Sequence, residues 1–313
     1  MNRGLRLLVL LIMLVFISGA SSCEKSSKVS PGAYIGGTDG LGISFVADEP
    51  PVKVLDNDQD SFFVTLALEN KGEFNIPKGG VIGTISGLAK NDFSIASLSA
   101  QSANVIEGRH KLGGEIIEGV SDELNFAEAR YKYDLSADLL QKMRVDVCYL
   151  YQTEGLAKLC LKKNPSERDI SDICKVNNEA IDLETSSGPV KITNVKEQSA
   201  GGSEVIFMFD IENVGGGENY LPTTFSSKCV YDEGDKNKLK VSIESVSGDL
   251  KSKCSVMNDN SQGEVKLVSG KRKVTCRVST SGLQEGAFES PFNIKLDYFY
   301  KVSLYKEITI ENL

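Results

Sequence analysis

Apolar and polar residues alternate in short runs along most of the chain. Examples are "LGISFVA" (41–47), "FFVTLALEN" (62–70), "GVIGTIS" (80–86), "FAEARYKYDL" (126–135) and "MRVDVCYLY" (143–151). A period of two over such spans, bounded by Gly, Asn, Asp and Pro, predicts half-buried strands joined by turns. No later stretch sustains a 3.6-residue period, and "SADLLQKM" (136–143) predicts a turn or two of helix at most. The pattern predicts an all-β sandwich architecture.

The runs also repeat. "VTLALENKGEF" (64–74) is echoed by "IFMFDIENVGGGE" (206–218), and "SGLAKNDFSI" (86–95) by "SGDLKSKCSV" (247–256). "VDVCYLYQTEGLAKLCL" (145–161) aligns without a gap on "IKLDYFYKVSLYKEITI" (294–310). The three matches keep their order, at offsets of 143, 161 and 149. Duplication of one β domain accounts for them. The expected organisation is a sandwich over 41–163, a polar linker over 164–187 and a second sandwich over 188–313. Residues 23–40, rich in Ser, Gly and Lys, predict a flexible tether.

Residues 1–22 have a different pattern. Arg3 and Arg6 precede the apolar run "LLVLLIMLVFIS", and "GASSC" follows. This is the order of a secretory signal or an N-terminal anchor helix. "GASSC" resembles the lipobox of lipoprotein precursors, which implies lipidation at Cys23, although Ala20 stands where a lipobox usually has Leu. Cleavage near Ala20 and a retained helix are the alternatives. The expected location is extracytoplasmic and membrane-anchored.

Each copy carries Glu-Asn-x-Gly after an alternating strand, where Asn and Gly tolerate the positive φ of a sharp exit from a sheet. The pattern resembles the Ig-like domains of prokaryotic surface proteins, including the CARDB type. With "CYLYQT", "SSGPVKITNV" and "IENVGGG", most of both copies is similar to exported archaeal surface proteins. The resemblance implies two tandem Ig-like sandwiches and a surface location, and it implies no activity.

Composition narrows the function. The net charge of −8 argues against a nucleic-acid partner. Apart from Cys23 there are six cysteines, Cys148, Cys160, Cys174, Cys229, Cys254 and Cys276, an even number that favours disulfides in an exported chain. Cys148 and Cys160 are replaced together, by Asp297 and Thr309, in the second copy. Joint replacement predicts that they face each other across a hairpin and are bonded. For the other four, Cys254–Cys276 with Cys174–Cys229 is favoured over Cys229–Cys254 with Cys174–Cys276.

Candidate chemistry is sparse. No Cys-x-x-Cys occurs, and the one histidine, His110, lies in the loop-like "EGRHKLGGE" without a Gly-x-Ser-x-Gly elbow to partner it. Asp56, Asp58 and Asp60 in "DNDQDS" have the alternate spacing of a calcium loop. Ser61 stands at the glycine position of such a loop, however, and Ala67 at the place of its bidentate Glu. Among 43 acidic residues no pair stands out for glycoside hydrolysis. No cofactor is expected. The expected function is a non-enzymatic, membrane-tethered binding or adhesion module that meets a protein or polysaccharide at the cell surface. The alternative is a self-assembling component of the envelope or of a surface filament, built by pairing of exposed strand edges.

Overall fold

The alternating runs become strands in a computed structural model that describes residues 32–167, 173–176, 180–226, 229, 232–246 and 250–313. Cys23 and the apolar N-terminal run lie outside the described residues. The fold is all-β, with three single-turn 3-10 segments and no α-helix among the described residues.

Eleven strands precede the linker: β1 (Leu41–Phe45), β2 (Lys53–Leu55), β3 (Ser61–Phe62), β4 (Thr65–Asn70), β5 (Val81–Ser86), β6 (Ser99–Gln101), β7 (His110–Leu112), β8 (Glu115–Ile117), β9 (Ser121–Asn125), β10 (Ala129–Arg130) and β11 (Leu139–Lys162). β12 (Leu183–Thr185) lies in the linker. Eight follow it: β13 (Val190–Ser199), β14 (Glu204–Asn213), β15 (Glu218–Tyr220), β16 (Lys238–Ser245), β17 (Ser252–Cys254), β18 (Gln262–Lys266), β19 (Lys271–Ser279) and β20 (Ala287–Glu311).

A nine-stranded sheet runs β18–β16–β20–β11–β5–β6, with β12 added to β11 and β15 and β2 added to β20. A three-stranded sheet, β1–β4–β9, and a four-stranded sheet, β13–β14–β19–β17, complete the layers, and β3/β10 and β7/β8 form small two-stranded pairs. The inward residues of the smaller sheets join those of the large one in a single apolar cluster. Leu66, Leu68 and Leu124 meet Val145, Val147 and Tyr149 in the first half. Phe207, Phe209 and Val274 meet Phe292, Ile294 and Leu296 in the second. Burying each such side chain contributes roughly 1.5–3 kcal/mol.

The two longest strands hold the halves together. β11 and β20 pair antiparallel from Leu139↔Ile310 to Lys162↔Ala287. Shifting any β11 position by 149 gives its counterpart in the repeat, and at Leu150 that counterpart, Phe299, is also the paired residue. β11 and β20 are therefore related by a pseudo-twofold axis through the Leu150–Phe299 pair. Four tyrosines surround it on the inward face. The ring centroids of Tyr149 and Tyr300 are 5.8 Å apart, those of Tyr151 and Tyr298 6.0 Å. All four are buried, and burial raises each hydroxyl above its ordinary pKa.

The repeated Glu-Asn-x-Gly segments take matching roles. Asn70 Nδ2 donates to the carbonyls of Phe74 and Ile106 at 2.8 and 2.9 Å, and its Oδ1 accepts from Gly72 N at 3.2 Å. Asn213 Nδ2 donates to Gly217 O at 3.0 Å, and its Oδ1 accepts from Gly215 N at 3.2 Å. Tyr151 packs on Gly72, and Tyr300, its counterpart, packs on Gly215.

The expected Cys148–Cys160 hairpin is not formed. Residues 139–162 make one continuous strand, so the two cysteines stand about 40 Å apart at roughly 3.3 Å per residue. Gly155, which reads as a turn in "QTEGLA", is extended. It has no side chain because Ile192 Cδ1 would lie 2.7 Å from a Cβ there. The disulfides are Cys148–Cys229, Cys160–Cys174 and Cys254–Cys276. The last agrees with the favoured pairing, whereas Cys174–Cys229 is replaced. Cys174 reaches the neighbouring Cys160, and Cys229 reaches Cys148 on the outward face of the large sheet. Three disulfides fit an oxidising, extracytoplasmic compartment. No helix of the described residues is long and apolar enough to cross a membrane.

Beside the Cys160–Cys174 bridge, Glu197 on β13 is 2% exposed and its Oε2 accepts from Cys160 N at 2.8 Å. Burial, with Glu289 nearby, lifts its carboxyl from near 4.5 to about 7. The folded state therefore holds the proton more tightly than the unfolded chain does. The corresponding stability is complete below pH 4.5 and is lost as pH rises through 7. Glu197→Gln keeps the acceptor and removes the charge. It should raise stability at pH 8 by up to about 3 kcal/mol and change it little at pH 4.5. Urea denaturation at the two pH values checks this, and equal effects at both would refute the assignment.

Candidate functional site

The chain N-terminal to β1 lies against the body of the protein from residue 32 onward, which corrects the expectation of a flexible tether up to residue 40. Glu73, just beyond the first Asn-x-Gly, accepts three backbone N–H groups. Ile35 donates to its Oε1 at 2.8 Å, and Gly36 and Ser187 donate to its Oε2 at 2.9 and 2.7 Å. Lys111 Nζ donates to the carbonyls of Gly32 and Tyr34 at 2.8 and 2.7 Å, and Lys191 Nζ to Gly37 O at 2.8 Å. The segment turns at Gly36 and Gly37, whose φ values of 80° and 127° suit glycine alone. One carboxylate thus ties the strap to the linker residue Ser187.

Beside the strap is a polar cleft of about 490 Å³. Tyr34 and Phe74 line it, with Arg109 and His110 from the β7 region and Gln152 and Glu154 from β11. Tyr34 Oη donates to Glu154 Oε2 at 3.1 Å, and burial together with Glu154 raises the phenol well above its ordinary pKa. Lys295 Nζ lies 3.5 Å from Glu154 Oε1, and Arg109 Nε lies 2.9 Å from Glu118 Oε2. His110 is exposed, with Nδ1 3.4 Å from Gly108 O. The charged groups are spent on the strap and on one another, and the hydroxyls that line the cleft are engaged with Glu154: Tyr34 Oη donates to its carboxylate and Ser186 Oγ accepts from its backbone N–H at 2.9 Å. What the cleft offers is a set of fixed donors and acceptors.

A second, shallower groove of about 860 Å³ lies on the β1–β4–β9 sheet. Its floor includes Gly42, Ser44, Ala67 and Ser121, with Glu69 and Glu123 beside them. Lys71 Nζ pairs with Glu69 at 3.1 Å.

The calcium pattern at 56–60 does not gather a group of metal-ligating side chains among the described residues. Asp56 is fully buried and its Oδ2 accepts from Leu135 N at 2.6 Å, while Asp60 Oδ2 accepts from Leu55 N at 2.8 Å. Asp58 sits at φ 59° in the turn between them. The carboxylates tie down backbone, and among the described residues no group of three or more His, Cys, Asp or Glu side chains could hold a metal.

Glu73 is not among the residues the sequence singles out, whereas alternation and the repeat already place the four tyrosines at matching positions on one strand face. Glu73 has no signal beyond its place after Asn-x-Gly, while Tyr149 and Tyr151 align with Tyr298 and Tyr300. Glu73→Ala should release the strap, because removing a carboxylate that accepts three N–H groups costs about 2–3 kcal/mol. Amide exchange at Ile35, Gly36 and Ser187 should quicken by at least about tenfold while β14 and β19 are unchanged. Unaltered protection at those three amides would show that other contacts hold the strap.

No protein-family model matches the chain, and no curated protein matches it. Among solved structures, similarity is weak. The secreted serine protease VesC from Vibrio cholerae matches over 83% of this chain and half of its own, with 11% identity and a TM-score of 0.22. Collagen adhesin (CNA) from S. aureus matches over 88% of this chain and 92% of its own, with 9% identity and a TM-score of 0.12. Neither likeness is close enough to transfer a fold or an activity.

Proposed function

We propose that the chain is an exported, non-enzymatic binding module of two Ig-like β-sandwiches, held at the membrane by its N-terminal segment. The observation that carries this reading is the β11–β20 pairing, which joins two duplicated halves into one body with sheet faces, edges and a polar cleft directed outward. Such a body suits the display of recognition surfaces, and the three disulfides suit work outside the cytoplasm. The strap at 32–40 would set the orientation of that body relative to an anchor at Cys23 or at a retained helix. A protein or polysaccharide at the cell surface is the partner class this reading names.

Two measurements test the reading. Mass spectrometry of the mature N-terminus should find either diacylglyceryl-modified Cys23 or a retained apolar segment. Cross-linking on intact cells should join the chain to a surface component. Soluble, uncross-linked protein in the cytosolic fraction would overturn it.

A further inference from the structure

Strand β20 is covered unevenly along the edge that faces away from β11. β16 lines residues 292–297, β15 lines 299–301 and β2 lines 309–311. Between them, residues 302–308 pair with β11 on one side and, among the described residues, with no strand on the other. Thr309 N donates to Val52 O at 2.8 Å and Glu311 O accepts from Asp56 N at 3.1 Å, so the odd-numbered residues aim their backbone groups away from β11. Ser303, Tyr305 and Glu307 therefore present three N–H and three C=O groups to this gap. All three residues are exposed, Tyr305 by 72%.

The repeat shows what belongs there. Moving back 149 positions takes Ser303 to Glu154 and Tyr305 to Leu156. In the first half this edge is closed. Glu154 N donates to Ser186 Oγ and Glu154 O accepts from Ser186 N, both at 2.9 Å, and β12 pairs antiparallel with Gly155–Ala157. The first copy fills its slot with linker residues, and in the second copy no strand among the described residues occupies the same slot.

We propose that the edge of β20 from Ser303 to Glu307 is a docking slot for one extended segment of a partner polypeptide, added antiparallel as β12 is added to β11, with an acidic residue opposite Lys306. β15 and β2 already occupy the neighbouring-strand position at either end. The slot thus admits a strand of about five to seven residues and bars the sheet edge of a second folded copy. Charge selects the acidic residue. Lys306 Nζ lies 5.9 Å from the centre of the Phe45 ring and makes no ion pair among the described residues. Backbone hydrogen bonds would supply most of the affinity and flanking side chains the choice of sequence. The proposal rests on the binding-module reading above and gives it a site.

The probe is the blocked peptide spanning residues 180–187, Ala-Ile-Asp-Leu-Glu-Thr-Ser-Ser, titrated to millimolar concentration into the full chain. Amide exchange at Ser303, Tyr305 and Glu307 is expected to slow by at least about tenfold. The peptide with Glu at the Leu183 position should bind several-fold more tightly, an advantage that Lys306→Gln removes. Tyr305→Pro deletes one edge donor that β11 does not use and should abolish protection, whereas Tyr305→Ala should retain it. Protection appearing elsewhere, none appearing, or slow exchange at these amides before peptide is added would each overturn the proposal. Cross-linking on intact cells separates the two readings. A surface partner captured equally by wild type and Tyr305→Pro leaves the binding module standing and removes the slot, whereas no partner for wild type removes the module.

Discussion

Gly72→Ala is expected to destabilise the folded chain by about 3 kcal/mol, near the upper range for overpacking a rigid core. A Cβ on Gly72 would lie 1.6 Å from Tyr151 Oη, 2.9 Å from its Cζ and 2.8 Å from Asp39 O. Tyr151 cannot swing aside. It is 2% exposed, its hydroxyl donates to Ser187 O at 3.2 Å, and its ring meets those of Phe74, Tyr149 and Tyr298. Tyr151→Phe alone should cost about 1 kcal/mol for the lost hydrogen bond. In the Gly72→Ala background the same change should recover part of the loss, because it removes the atom in closest conflict. That reversal of sign is the signature of direct contact in a double-mutant cycle. Urea unfolding of the four proteins measures it, and additive losses would place the strain elsewhere. Both halves should melt in one transition, because β11 and β20 cross from one half to the other.

The same glycine shows how far the sequence could be read. The repeated Asn-x-Gly and the aligned Tyr151 and Tyr300 are visible in the chain, and they mark structurally equivalent places. Alternation in "VDVCYLY" also places Val147, Tyr149 and Tyr151 on the inward face. The hairpin failed at Gly155, because a glycine needed for a turn and one needed for close approach to Ile192 look identical in sequence. With the hairpin went the Cys148–Cys160 bond. Joint replacement of two cysteines in a second copy follows equally from two separate disulfides that the first copy shares with other segments. At the cleft, Tyr34 and Glu154 lie 120 positions apart, and only the strap brings them together. The open edge of β20 was legible in part, since the aligned segments identify Tyr305 with Leu156. That β12 covers one and no strand among the described residues covers the other requires the folded linker.

Removing the Cys148–Cys229 bond, as Cys148→Ala with Cys229→Ala, should cost about 4 kcal/mol and lower the melting temperature by about 10 °C. The bond joins positions 81 residues apart, against 14 and 22 for the other two, so it removes the most chain entropy from the unfolded state. It also closes a small apolar cluster on the outward face of the large sheet, separate from the main core. There Tyr220 stacks on Phe299 with centroids 4.9 Å apart, Phe225 packs against Phe299 at 5.8 Å, and Cys148 and Ile82 lie beneath. The Leu150–Phe299 axis runs through this cluster, so its cover breaks the pseudo-symmetry of the β11–β20 pair. Loss of the bond should therefore loosen β15 and the turn around residue 225 before the sheet opens. Amide exchange at Tyr220 should quicken while β4 and β14 keep their protection. The matching variant at Cys160 and Cys174 should cost about 3 kcal/mol by the same entropy argument and leave Tyr220 unchanged. If the two variants melt together and neither alters exchange at Tyr220, the Cys148–Cys229 bond does not hold that cover.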